Sequence, residues 1–146
     1  MIGIGILQPV VLLMAWTMVM WVWMYATRIP AMNRANMSGE EMATLNQAKL
    51  DAILPPQVQW KAYNYNHLHE APTVFYAVAI VLAILGQGDG FNAWLGWAYL
   101  LLRIAHSLAQ AAVNKVMLRF ALFVASSLVL MALILHAAIP LFDLHF

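Results

Sequence analysis

Arg103, His106 and Gln110 are polar residues inside an apolar run that covers residues 93–113, and Asn114 follows directly after it. Steps of three, four and four residues put the four on one face of a helix. A second polar group, Asn66, His67, His69 and Glu70, heads the preceding apolar run. Ionisable side chains are costly inside apolar segments, so they pair with one another, line a polar cavity or serve a ligand. Two arrangements fit these residue types. In one, Arg103 and Glu70 form a buried ion pair with His106 as a further donor, a polar core that fixes helix packing. In the other, the residues line a cavity open to the inner leaflet, which takes an anionic small molecule or a lipid headgroup, and Arg119 closes its rim.

Other chemistries are disfavoured by spacing or composition. His67 and His69 stand two apart on a helix and do not share a face, and no third ligand is placed by spacing, so no metal site is expected. Ser107 follows His106 but points about 100° away round the helix, which argues against a serine–histidine dyad. The chain has no cysteine, which removes disulfides, thiolate metal sites and cysteine nucleophiles. Methionines and tryptophans at helical positions read as packing or lipid-facing residues, and His136 and His145 as interfacial ones at the outer end.

With 64% hydrophobic and only 9% charged residues and a mean hydropathy of +0.78, the chain reads as an integral membrane protein rather than a soluble domain. A length of 146 residues suits one domain, 1–146, built as an all-α four-transmembrane-helix bundle with spans at about 2–26, 63–86, 91–113 and 119–139. Arg28 and Pro30 close the first span, which has no basic residue before Arg28 and is too long for a signal peptide. Residues 31–61 are polar. Within them Ser38-Gly39-Glu40-Glu41 has the form of a capping box, so a short amphipathic helix is expected over 39–54, near the headgroups, until Pro55-Pro56 stops it. A glycine-rich turn at 86–90 separates spans two and three, and Pro140 ends span four.

Arg28, Arg34, Lys49 and Lys61 flank the first loop and Lys115 and Arg119 the third connector, while the N-terminus, the glycine-rich turn and the C-terminal tail hold no Lys or Arg. Both termini are therefore expected on the non-cytoplasmic side. Counted at the standard helical rise from the inner ends, Arg103 lies roughly 15 Å deep and Glu70 roughly 10 Å deep. The two polar groups thus share a depth.

The order of features resembles the MAPEG family, the membrane-associated proteins of eicosanoid and glutathione metabolism, and especially its bacterial members. The matching pieces are a span closing on Arg28, Asn66-His67-Leu68-His69-Glu70-Ala71-Pro72 opening span two, Arg103-x-x-His106 in span three, and Asn114 and Arg119-Phe120 opening span four. The resemblance implies a bacterial inner-membrane protein, a homotrimer, and a site between protomers near the cytoplasmic side where glutathione lies in a U shape. It implies Arg28, Asn66, Glu70, His106 and Gln110 as glutathione contacts and Arg119 as the arginine that activates the thiol. A guanidinium beside a thiol stabilises the nucleophilic thiolate. The chain departs from the family pattern where Gln110 replaces a tyrosine, where His69 takes a glutamate's place with Glu70 one residue later, and where Phe120 and Phe123 replace a serine and a tyrosine. Lys61 stands where an arginine precedes Asn66 by one turn.

Two functions are expected from these readings. The first is a glutathione-dependent transferase or peroxidase acting on hydrophobic electrophiles or lipid hydroperoxides that arrive laterally from the inner leaflet. The second is a non-catalytic trimer that binds membrane lipids or another membrane protein in its intersubunit groove. A transporter is disfavoured by the lack of an inverted repeat, and nucleic acid is not an expected partner.

Overall fold

The computed structural model describes residues 2–143, which puts His145 outside the described part, and among the described residues it is all helical. Helix α1 (Leu7–Arg34) runs past both residues expected to close it, Arg28 and Pro30. Pro30 removes one backbone hydrogen bond. The ladder re-forms after it and ends where the Ala35 N–H donates to the Ala31 carbonyl at 3.1 Å.

The loop that follows holds two short helices, α2 (Gly39–Ala43) and α3 (Gln47–Ile53), instead of the single helix expected over 39–54. The capping box forms: the Ser38 hydroxyl accepts from the Glu41 N–H, and the Glu41 carboxylate accepts from the Ser38 N–H. Asn46 then acts as a second N-cap, its side chain accepting from the Lys49 N–H at 2.9 Å, so the helix breaks and restarts.

Pro56 opens α4 (Pro56–Glu70) in its first turn, where a missing N–H costs nothing, and the second span therefore begins well before 63. At the junction with α5 (Pro72–Ile84), Ala71 keeps helical angles of φ −68° and ψ −39°, so the two helices form one long segment. Helix α6 (Phe91–Leu108) gives way to a π-helical turn, Ala109–Val113, where a regular helix was expected. Helix α7 (Val116–Leu141) starts before 119 and carries Pro140 in its last turn, one residue short of its end.

Among the described residues, three stretches are long and apolar enough to cross a membrane: Leu7–Arg34, Pro56–Ile84 and Val116–Leu141. Helix α6 is not among them, because it spends one face on the buried residues Asn92, Arg103, His106 and Ser107. It packs along α7 and against α1, α4 packs against α1 and the π turn, and α5 lies on α7. Apolar burial between them centres on Leu13, Met20, Phe75, Leu82, Tyr99 and Leu133. The Phe75 and Tyr99 rings stack at 4.3 Å.

At the opposite end from the loop, the N-terminal residues lie on the 86–90 turn. The Gly3 N–H donates to the Ala83 carbonyl at 3.0 Å, the Ile6 N–H to Gly88 at 2.7 Å and the Gly5 N–H to the Asp89 carboxylate at 2.8 Å. Gly88 is buried there, and a Cβ on it would collide with the Gly3 carbonyl oxygen.

Candidate functional site

The polar face of α6 meets a polar line on α4. Asn64 is fully buried; its amide N–H donates to Gln110 Oε1 at 3.0 Å while its carbonyl oxygen accepts from the Ser107 hydroxyl. Arg103 is only 2% exposed. Its Nε donates to the Tyr99 hydroxyl at 3.0 Å, its Nη1 meets His67 Nε2 at 3.3 Å, and the guanidinium lies 5.2 Å from the Tyr99 ring and 5.4 Å from the Phe123 ring. Hydroxyl, imidazole and two aromatic faces thus replace water around this cation.

The expected Arg103–Glu70 pair is absent from this arrangement, and Glu70 is exposed rather than part of a polar core. The buried side of α4 passes through Asn64 and Leu68. Glu70 lies about 200° round the helix from Leu68, which turns it outward. Asn66 is likewise exposed. His67 takes the place next to Arg103 that Glu70 was expected to fill.

His67, His106, Val116, Arg119, Phe120 and Phe123 line a cavity of about 250 Å³. The rings of His67 and His106 are 4.9 Å apart, and Phe123 lies 6.0 Å from His67 and 6.5 Å from His106. Arg119 supplies the cation of this cavity; its Nη1 donates to Asn114 Oδ1 at 2.6 Å, and its Nε is buried with no hydrogen-bond partner. A buried donor of that kind is costly to leave unmet. On the outer flank of α7, Phe120 is 60% and Phe123 39% exposed, so the cavity abuts an apolar surface.

Of the residues singled out from the sequence, the fold brings Arg119 and His106 together. Gln110 is buried and occupied by Asn64. Arg28 is engaged elsewhere: its Nη2 donates to Gln59 Oε1 at 3.5 Å, and Gln59 in turn donates to the Asp51 carboxylate at 2.6 Å, joined there by Gln47 at 2.9 Å. Hydrogen bonding by Tyr63, with the Gln47 and Gln59 amides and the nearby Arg28 charge, holds the Asp51 carboxyl below the usual carboxylate range. Arg28 therefore helps to dock α3 onto α1 and α4. His136, half-buried at the other end, meets Asn92 Oδ1 at 2.6 Å.

Asn64 and Tyr99 were not expected in the site, and His67 was expected in the polar group at the head of the second span but not as the partner of Arg103. The signal was present in the steps of three that join Lys61, Asn64 and His67, a line on α4 that mirrors the one on α6. Lys61 belongs to it, donating to the Ala111 carbonyl of the π turn at 3.3 Å and lying 5.2 Å from the Trp23 ring. Among the described residues no three His, Asp or Glu side chains gather as metal ligands.

A family model described as the MAPEG family matches residues 6–139. No curated protein and no solved structure matches the chain.

Proposed function

The chain belongs to the MAPEG family, and on that premise we propose that it is a four-span, homotrimeric membrane enzyme that uses glutathione to attack hydrophobic electrophiles or lipid hydroperoxides. The observation that carries this reading is Arg119, a half-buried cation with an unmet Nε donor in a cavity that borders the apolar flank of α7. Arg119 suits a thiolate: a guanidinium favours the anion over the neutral thiol, and a site partly screened from water strengthens that preference. Phe120 and Phe123 give an apolar second substrate a path from the bilayer to the sulfur. In the trimer, the exposed Asn66 and Glu70 are free to meet glutathione held at a neighbouring subunit's cavity, with Arg28 at its margin. The sulfur forms the new bond, and the leaving group, or the alkoxide freed from a hydroperoxide, departs with the electron pair of the bond that breaks. The protein sits in the bacterial inner membrane with both termini on the non-cytoplasmic side, as the flanking positive charges imply.

Titration of glutathione into detergent-purified protein, followed by thiolate absorbance or calorimetric heat, should give a saturable signal that Arg119→Ala abolishes. The absence of any such signal at millimolar glutathione would reject the reading.

One observation favours a second reading, a non-catalytic protein that holds an anionic lipid headgroup at Arg119. Gln110 is withdrawn to Asn64, and Phe120, Phe123 and Val116 leave the cavity wall short of hydroxyl donors. Arg119→Ala should then lower the anionic lipid that co-purifies, as counted by mass spectrometry; unchanged lipid content counts against this alternative.

A further inference from the structure

Arg119 follows closely on a backbone irregularity. The last turn of α6 widens into the π turn Ala109–Val113, the Asn114 N–H closes it onto the Ala109 carbonyl at 2.6 Å, and Asn114 adopts the left-handed angles φ 52° and ψ 31°. Left-handed conformations are uncommon for residues other than glycine, and asparagine is among those that tolerate them best. Glycine would serve the backbone here at least as well. What asparagine adds is a side-chain oxygen, and that oxygen accepts from Arg119 Nη1 at 2.6 Å, the short range of a charge-assisted hydrogen bond. The Lys61 ammonium, on the Ala111 carbonyl, ties the same turn to α4.

We infer that Asn114 is a positioning residue for Arg119: the π turn and the left-handed bend present its side-chain oxygen to Nη1, which holds the guanidinium at the cavity with Nε left over for an anionic ligand atom. The inference rests on the reading of Arg119 as the group that stabilises the glutathione thiolate, and it deepens that reading by assigning the control of the arginine to the end of α6. Asn114 touches no substrate. Its effect passes through Arg119 alone.

Two variants separate the side chain from the backbone. Asn114→Gly keeps the left-handed bend and removes the acceptor, whereas Asn114→Asp keeps the acceptor and adds a charge. In full-length protein in detergent, the rate at which phenylglyoxal modifies Arg119, located by peptide mass spectrometry, should rise about tenfold in Asn114→Gly and fall below the wild-type rate in Asn114→Asp. Bound glutathione should ionise about one pH unit higher in Asn114→Gly than in wild type. An unchanged modification rate, or an unchanged ionisation profile, in Asn114→Gly overturns the role. If wild-type protein shows no bound thiolate, the functional reading fails while the modification rates still decide the position of Arg119. If Asn114→Gly fails to fold, Asn114→Asp decides: a rate equal to or above wild type overturns the role.

Discussion

At the scale of single residues, the polar interior is held by neutral partners. Arg103 is held by Tyr99 and His67, so its place in the interior depends on those contacts rather than on a carboxylate. Tyr99→Phe removes the acceptor of Arg103 Nε and should cost about 1–3 kcal/mol, the usual effect of orphaning a buried charged donor. Glu70→Gln, at an exposed position, should change stability by no more than about 0.5 kcal/mol. Thermal unfolding in detergent compares the two; an equal loss would mean that Glu70 supports Arg103 as much as Tyr99 does. Asn64→Ala should be more damaging than Ser107→Ala, since it strips partners from both Gln110 and Ser107, and each orphaned group costs about 1–3 kcal/mol. Equal melting temperatures for these two variants would place the stability outside this network. The residue types of this interior were readable in the sequence. Their pairing was not, because which face of α4 turns inward depends on how it packs against α6.

At the scale of elements, the caps and turns followed local chemistry. The Ser38–Glu41 box and the 86–90 turn formed where the sequence placed them, while the interruption at Asn46 and the π turn after Leu108 emerged only in the structure. Steric need separates the glycines. Gly88→Ala drives a methyl group into the Gly3 carbonyl and should cost about 1–3 kcal/mol, whereas Gly39→Ala, with open space around it and a helical backbone, should be neutral or slightly stabilising. Equal unfolding temperatures for the two variants would mean that the N-terminal residues are not seated on the turn. The loop helices should also respond to acid. Hydrogen bonds from the Ser38 backbone and hydroxyl hold the Glu41 carboxyl below the usual range, and Tyr63 with its neighbours does the same for Asp51. Since both folded-state pKa values are depressed, the stabilisation is present above the unfolded-chain value and is lost as pH falls through the lowered one. Hydrogen exchange over 38–54, corrected for its intrinsic pH dependence, should accelerate in that acidic window and leave the buried part of α5 unchanged. Equal protection of the loop across the window would show that these carboxylates do not hold it.

At the scale of the whole molecule, α1, α5 and α7 present wide apolar faces, among them Val11, Met18, Val22, Ile80, Leu128 and Leu135, all exposed in the single protomer. Such faces suit lipid or neighbouring subunits rather than water. Since the chain contains no cysteine, single cysteines at Gly39, Gln87 and Lys115 can map its course through the membrane. In intact cells a membrane-impermeant maleimide should label Gln87→Cys, while Gly39→Cys and Lys115→Cys should react only after permeabilisation. Labelling of Lys115→Cys together with Gln87→Cys would show that α6 does not cross. Composition and periodicity by themselves determined the class of the molecule and the course of its long helices, because hydropathy and helical spacing are local properties of a chain, while motif residues such as Arg103-x-x-His106 carried the family resemblance. Only the tertiary structure decided that Arg103 turns to Tyr99 and His67, that Gln110 closes on Asn64, and that Arg119 shares a cavity with two histidines. Those outcomes depend on the rotation of each helix about its axis, and that rotation is set by packing between segments far apart in the sequence.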